Sequence, residues 1–289
     1  MLIAGIFVSW VDPILDNLAR SAGIGYLPGS KAAAEPTALA ALAFLSHGRI
    51  DSALPACDEL STMQQANGEV GVRAGEDSPG WPTSLAIVAW SLVERHTSRS
   101  AQTHIQPGLK WLLANRGRRI ERSDAFGHNT ELVGWAYAEN THSWVEPTAF
   151  AVLALKAAGH GHTVAAREGV SVLIDRQLPG GGLNYGNTFV LGQLLRSHIQ
   201  PTGIGLLALS GEHDPSDRIT KSIAWLRRSI GPETTAQSLA WAILGMAAQG
   251  ELIAQRDDWL RAAAERVLHR DQSPYKLALL VLAEKGWPQ

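Results

Sequence analysis

The chain has 289 residues, of which 45% are hydrophobic and 18% charged, and its formal net charge is -2. This composition excludes extended disorder and supplies a sizeable core, and the lack of a basic surplus argues against a nucleic-acid partner. A single cysteine, Cys57, excludes an intramolecular disulfide and fits a reducing compartment, so a cytoplasmic location is expected. No stretch is apolar for the length of a membrane span. The start, MLIAGIFVSW, lacks a basic n-region and runs directly into the polar VDPILDNLAR, so ordered chain is expected there rather than a signal peptide.

Two kinds of segment alternate along the chain. VDPILDNLARSAG, from Val11, reads as a one-sided helix, and EPTALAALAFL, from Glu35, as a helix apolar nearly all the way round. DSALPACDELSTMQQ, from Asp51, is one-sided, with Pro55 restricting its first turns; WPTSLAIVAWSLV, from Trp81, is apolar again. GLKWLLANRG, from Gly108, is a short one-sided helix, followed by the apolar EPTAFAVLALKAAG from Glu146. TVAAREGVSVLIDRQ, from Thr163, precedes QPTGIGLLALSG, from Gln200. DRITKSIAWLRRSI, from Asp217, puts Ile219, Ile223, Leu226 and Ile230 on one stripe, with Arg218, Lys221, Arg227 and Arg228 off it. GPETTAQSLAWAILGMAAQG, from Gly231, is the fifth apolar segment. DDWLRAAAERVLHR, from Asp257, shows a stripe of Leu260, Ala263 and Val267, and SPYKLALLVLAEKG, from Ser273, ends the series.

The apolar segments share start and stop signals. Proline suits a first helical turn, Thr or Ser can cap its free N–H groups, and Gly ends several copies. Their helices are expected to begin near Thr37, Thr83, Thr148, Thr202, Thr235 and Tyr275. Six buried helices inside six amphipathic ones cover every apolar face if the array closes on itself. The expected architecture is an all-α, α6/α6 toroid, a closed ring of six helical hairpins forming a single domain over 1–289. The inner-helix N-termini then share one end. The longest connections, about Gly117 to Val145 and Leu178 to Ile199, place the functional end there and are expected to be functional or to carry short helices.

The repeats resemble the squalene–hopene cyclase and protein-prenyltransferase β-subunit superfamily. PETTAQSLAWAILGMAAQGE is similar to the Gln-Thr-Ala-Trp-Ala-Leu repeat of hopene cyclases, with Leu239 as an extra residue. Gln65-Ala66-Asn67-Gly68 and Gln177-Leu178-Pro179-Gly180 resemble weakened QW repeats, with Val70 and Leu183 near the aromatic's place; the alternative is helix-ending turns. The resemblance implies an isoprenoid-handling protein with a central apolar cavity. Any reaction would be terpene cyclase-like, an isomerase or lyase, with an apolar isoprenoid ligand. In class II cyclases Asp-x-Asp-Asp-Thr-Ala opens an inner helix. The matching stretch here is Trp144-Val145-Glu146-Pro147-Thr148-Ala149, so Glu146 falls on the acid's place while Trp144 and Pro147 replace the other aspartates. Glu35-Pro36-Thr37 repeats the tripeptide, so each Glu also reads as a helix-start residue favoured by the dipole. The prenyltransferase zinc pair Asp-x-Cys is missing at Ala56-Cys57-Asp58, so no metal and no cofactor are expected.

Candidate site residues lie in the two long connections. HNTELVGWAYAENTHSW holds His128, Glu131, Trp135, Tyr137, His142 and Trp144 just before Glu146, and GGGLNYGN holds Asn184, Tyr185 and Asn187. Glu146 and Glu131 are the candidate catalytic carboxylates, and the other eight are candidate ligand contacts. Aromatic faces shape a pocket or stabilise a cation, and carboxylates and His move protons. Two further functions fit the same residues. One is a carbohydrate-active α6/α6 barrel, a lyase or hydrolase, in which Glu131 and Glu146 face each other across a polar groove. The other is a non-catalytic interaction or ligand-binding module.

Overall fold

The computed structural model describes residues 9–76, 79–123 and 125–289. The expectation for the first residues of the chain falls largely on 1–8, outside the described residues. Twelve helices are seen among the described residues: α1 (Val11–Leu18), α2 (Ala34–Ser46), α3 (Ile50–Thr62), α4 (Thr83–Arg95), α5 (Gln102–Ala114), α6 (Val145–Ala157), α7 (Val164–Asp175), α8 (Ile199–Ala208), α9 (Arg218–Ser229), α10 (Ala236–Ala248), α11 (Arg256–Arg270) and α12 (Pro274–Lys285). A two-residue antiparallel pair, β1 (Phe189–Val190) and β2 (Gln193–Leu194), lies between α7 and α8. The fold is all-α and toroid-like, as expected. All six inner starts are helical and lie within three residues of their expected positions.

Burial divides the helices into two layers. In α2 and α6 nearly every residue is buried, including Thr37, Thr148 and Glu146. In α9 only Ile219, Ser222 and Leu226 are buried. The inner helices contact one another in the order α2, α4, α6, α8, α10, α12, and α12 contacts α2. The circuit of contacts therefore returns to its start. Polar groups stitch this seam: Ser273 Oγ donates to the Tyr26 carbonyl at 2.6 Å, and a ring nitrogen of His47 lies 3.1 Å from the Val281 carbonyl. Helix α1 packs on α12. Close approach is greatest between α8 and α10. A Cβ on Gly203 would lie 2.4 Å from the Trp241 carbonyl oxygen, and one on Gly245 2.3 Å from that of Gly203.

The recurring hydroxyls of the Pro-Thr pairs do not cap their helices; no side-chain cap is made at the starts of α2, α4, α6 or α8. Each instead latches the segment that leads into its helix. The backbone N–H groups of Ile24, Val70, Trp135 and Leu183 donate to Thr37, Thr83, Thr148 and Thr202 Oγ1 at 3.0, 2.8, 2.9 and 2.8 Å. Thr37 and Thr148 also donate back to the carbonyls of Ile24 and Trp135 at 3.2 and 3.3 Å, while Thr83 and Thr202 donate to the Gly80 and His198 carbonyls at 2.6 Å. A cap would satisfy an amide of its own helix end, whereas the latch satisfies a buried amide of a different segment. Thr148→Val keeps the shape and strands the Trp135 N–H; the Trp135 carbonyl keeps the Trp144 N–H at 2.8 Å. Chemical denaturation should show a loss of about 1–3 kcal/mol, the cost of one unsatisfied buried group.

One local expectation needs correction, and two open ones are narrowed. The helix expected from Gly108 begins at Gln102 and carries Pro107 within it. Pro107 stands past the first turn and removes the N–H that would donate to the Thr103 carbonyl. The two long connections carry no helix among their described residues. The Gln65–Gly68 and Gln177–Gly180 stretches are turns that end α3 and α7, closed by bridges from Gln64 to Val70 and from Gln177 to Leu183. The apolar Val70 and Leu183 serve there as latch partners of Thr83 and Thr202, and no aromatic is needed.

Candidate functional site

The inner helices all present their N-terminal ends to one cavity of about 420 Å³. Glu35, Trp81, Glu146 and Gln200, each immediately before a proline at a helix start, line it, with Gln237 from α10 and Tyr275 from α12. One residue per inner helix thus faces the axis. Side chains four residues on lie on the same helix face, one turn deeper. Phe150, Ile204 and Trp241 follow Glu146, Gln200 and Gln237 in this way and also line the cavity. Phe150 and Trp241 meet at 5.6 Å between ring centroids, and Trp241 meets Trp287 at 6.3 Å. This aromatic layer lies between the cavity and a second one of about 350 Å³ at the C-terminal ends of α4, α6, α8 and α10. The basic groups of that second cavity are spent on helix carbonyls: Arg95 on Ala157, and Lys156 on Ala208 and Ser210. They complement the helix dipoles, and no reactive group is left over.

Both carboxyl groups of the main cavity are buried and hydrogen-bonded. Tyr26 and Tyr275 hydroxyls donate to Glu35 at 2.7 and 3.0 Å. The Tyr137 hydroxyl and Gln200 Nε2, the latter at 3.0 Å, donate to Glu146. Gln237 hydrogen-bonds Tyr275. Burial pushes the Glu35 carboxyl above its ordinary range; the two tyrosines oppose this, and the charge of Glu146 adds to the rise. Burial likewise raises Glu146 against its two donors. A helix N-terminus favours the carboxylate, but desolvation outweighs it here. The cavity is therefore not the apolar chamber expected for an isoprenoid: its rim is polar and its floor aromatic.

These shifts link stability to pH. A carboxyl with a raised folded pKa holds more protons in the native state than in the unfolded chain. Its stabilising contribution is complete below the ordinary value of about 4.5 and is lost as pH rises through the raised values. The Glu35→Gln/Glu146→Gln double variant should therefore gain in Tm relative to the parent as pH is raised from about 4.5 to 8. A constant difference across that range would show that neither carboxyl is raised.

The candidate residues separate into groups. Glu146 and Tyr137 stand in the cavity, and Tyr137 meets Trp81 edge-on at 5.8 Å. Beyond that pair lies a cleft of about 510 Å³ lined by Glu69, Trp111, Arg116 and Glu139 among others. Trp144 touches Tyr137 at 5.9 Å, and the Tyr185 carbonyl accepts the Val145 N–H at 2.8 Å, so both border the Glu146 helix start. Burial and the Glu146 charge raise the Tyr185 hydroxyl. Glu131 is exposed and does not line the cavity, so it does not face Glu146 there; the other carboxylate lining the cavity is Glu35. Trp135 is a brace: its Nε1 donates to the Leu112 carbonyl at 2.8 Å and its ring lies under Arg116. Asn184 holds the Arg196 carbonyl and its neighbour's N–H, which is turn chemistry. His128, His142 and Asn187 line a separate small pocket. Glu35, Tyr26 and Tyr275 were missed as site residues. Cys57 is buried in α3 with its thiol pushed up to about 12, which makes it inert at neutral pH.

Among the described residues no helix is long and apolar enough to cross a membrane, and no group of three or more His, Cys, Asp or Glu is arranged to hold a metal ion.

No family model matches the chain, and no curated protein matches it in sequence. Solved structures do match. One is described as a novel alpha-amylase from Clostridium perfringens, with a TM-score of 0.65 and 11% identity, covering 94% of this chain and 96% of that one. A native alpha-2-macroglobulin fragment from Escherichia coli, from domain MG7 to the C-terminus, matches with a TM-score of 0.54 and 13% identity, covering 95% of this chain and 41% of that one. Salmonella alpha-2-macroglobulin reacted with methylamine matches with a TM-score of 0.52 and 12% identity, over 94% of this chain and 17% of that one. At such identities the likeness is one of fold. It supports the toroid-like architecture and does not show membership of the terpenoid-cyclase superfamily.

Proposed function

We propose that the chain is a carbohydrate-active enzyme, a hydrolase or lyase, that works on a chain of sugars through Glu35 and Glu146. The observation that carries this reading is the pair of buried, hydrogen-bonded carboxyl groups lining one cavity. Two carboxyl groups in different environments can serve as proton donor and as base or nucleophile at a glycosidic bond. Glu35 is the donor. Desolvation raises its carboxyl, and the charge on Glu146 adds to its retention of a proton. Glu146 is the carboxylate partner, held ready by Tyr137 and Gln200.

The surroundings suit a sugar better than a hydrocarbon. Gln200, Gln237 and the tyrosines offer hydrogen bonds, and Trp81, Tyr137 and Trp241 offer flat apolar faces. The cleft beyond the Trp81–Tyr137 pair gives room for further sugar units. An isoprenoid in this cavity would strip water from two carboxyl groups and two amides and return no hydrogen bonds. The fold likeness to a structure described as an alpha-amylase puts glucans among the substrates to test first.

The test is product analysis after incubation with α-glucans, β-glucans and uronate-containing polysaccharides. New reducing ends report hydrolysis, and ultraviolet absorbance of an unsaturated sugar reports elimination. Polyprenyl diphosphates form the opposing arm. Cleavage of any glycan, abolished in Glu146→Gln, supports the reading; turnover of a polyprenyl substrate with every glycan intact would overturn it.

A further inference from the structure

The small pocket between the two long connections has no part in the reading above. It measures about 110 Å³ and is lined by His128, His142 and Arg118 from the first connection, Arg176 from the end of α7 and Asn187 from the second connection. We propose that this pocket binds a small oxyanion of the phosphate or sulfate type, gripped by Arg176 and His142.

The first argument is unspent hydrogen-bonding capacity. Arg176 is only 4% exposed. Its Nη1 donates to the Gly186 carbonyl at 3.2 Å, but its Nε, fully buried, has no hydrogen-bond partner. The nearest carboxylate oxygen, Asp175 Oδ2, lies 3.8 Å from that nitrogen and already accepts the Asn129 N–H at 2.9 Å. His142 Nε2 is also buried without a partner. A buried guanidinium left partly unpaired is costly, and two orphan groups lining one pocket mark a position where an acceptor belongs. His128 adds a third group. Its Nδ1 lies 3.2 Å from Thr188 Oγ1 and 3.4 Å from the Thr188 nitrogen, and with Nδ1 as acceptor of both, Nε2 carries the ring proton.

The second argument is charge and size. The wall carries Arg118 and Arg176, and no carboxylate lines it. Burial lowers Arg176 only to about 10, so it stays charged at neutral pH. Burial, followed by that charge, holds His128 down to about 4 and lowers His142 as well. An anion would pair with the Arg176 charge and oppose the lowering of both rings. The volume exceeds the roughly 10–15 Å³ needed for a single water and falls well short of the roughly 300 Å³ at which drug-sized pockets begin. A tetrahedral oxyanion matches both limits.

Such an ion would tie the two connections together beside the catalytic cavity. His142 stacks on Trp144 at 4.7 Å, Trp144 touches Tyr137, and Tyr137 donates to Glu146.

Calorimetric titration of the whole chain with sodium phosphate and sodium sulfate, against sodium chloride at matched ionic strength, tests the site without requiring turnover. Saturable binding of phosphate or sulfate is expected. His142→Phe keeps the stack on Trp144 and removes Nε2, and it should weaken binding about tenfold. Arg176→Met should abolish it, and Arg99→Gln, remote on the surface beside Asp58, should leave it unchanged. If Arg176→Met does not fold, the His142 variant still decides. A glucose 6-phosphate arm separates the sources: tighter binding of the ester assigns the site to a substituted sugar, and weaker binding assigns it to the free ion. Absence of saturable binding by either ion, or equal affinity in His142→Phe and the parent, would overturn the proposal.

Discussion

Glu146→Gln should lower turnover of a cleaved glycan by about 10²–10⁴-fold, the usual worth of a positioned acid or base, with the protein still folded. The substitution keeps the length of the side chain. Its amide oxygen can accept from Gln200 while its amide N–H donates to the Tyr137 hydroxyl, which can turn to act as acceptor. Both partners can be kept, so melting should change little. Glu35→Gln should be equally damaging, since the amide cannot release a proton to the leaving oxygen. Residues acting as a pair are non-additive, so the double variant should be hardly slower than either single one. The measurements are kcat and KM for all three. A fall confined to KM would make both groups binding residues, and unchanged kinetics in all three would reduce them to helix-start residues.

The largest loss of stability should come from a methyl group. Gly245→Ala should destabilise the chain by more than about 3 kcal/mol, beyond the ordinary range for overpacking. The obstruction is backbone: the added Cβ would lie 2.3 Å from the Gly203 carbonyl oxygen and 2.9 Å from Gly203 Cα. No rotamer change can relieve that, so α8 and α10 must separate. Gly203→Ala should behave alike, because its Cβ meets the Trp241 carbonyl oxygen. Separation would also move Gln200 and Gln237, which face the cavity from these two helices. Gly250→Ala is the control. It sits at φ +76 with open space around it, so its cost is conformational alone, about 1–2 kcal/mol. Urea unfolding curves rank the three. A Gly245 variant no worse than the Gly250 variant would mean that the helices yield easily.

The helices were legible because each signal is local. The run from Ala38 to Leu45 is apolar on every side, and such a segment can only be enclosed. The Pro-Thr pairs marked the inner starts even though the hydroxyl serves another segment. The site was half legible. Glu146 and Tyr137 were found because the long connection leads straight into α6. Glu131 was named on the same ground, and nearness along the chain misled: the connection turns outward there, with Asn129 Oδ1 accepting the Glu131 N–H. Glu35 was seen but read as a helix-start residue because it repeats the tripeptide of Glu146. The repetition has the opposite meaning. Equivalent positions of a ring of repeats converge on its axis, so a residue type that recurs before Pro-Thr recurs in the cavity. Tyr26 and Tyr275 could not be found by any local rule, since they reach Glu35 from opposite ends of the chain.

That reach bears on how the chain folds. The Tyr275–Glu35 hydrogen bond spans 240 residues, the Ser273–Tyr26 bond 247 and the His47–Val281 contact 234. Most other contacts join neighbouring hairpins and can form early, but these bonds, with the packing of α12 on α1 and α2, close the longest loops seen among the described residues. A nascent chain can stack α2 through α10 as an open arc while Glu35 still faces water, its carboxyl in the ordinary range. Only when α12 arrives is Glu35 sealed and its proton affinity set. The environment that raises Glu35 is then the last property acquired in synthesis, and a partly made chain carries both carboxyl groups without it.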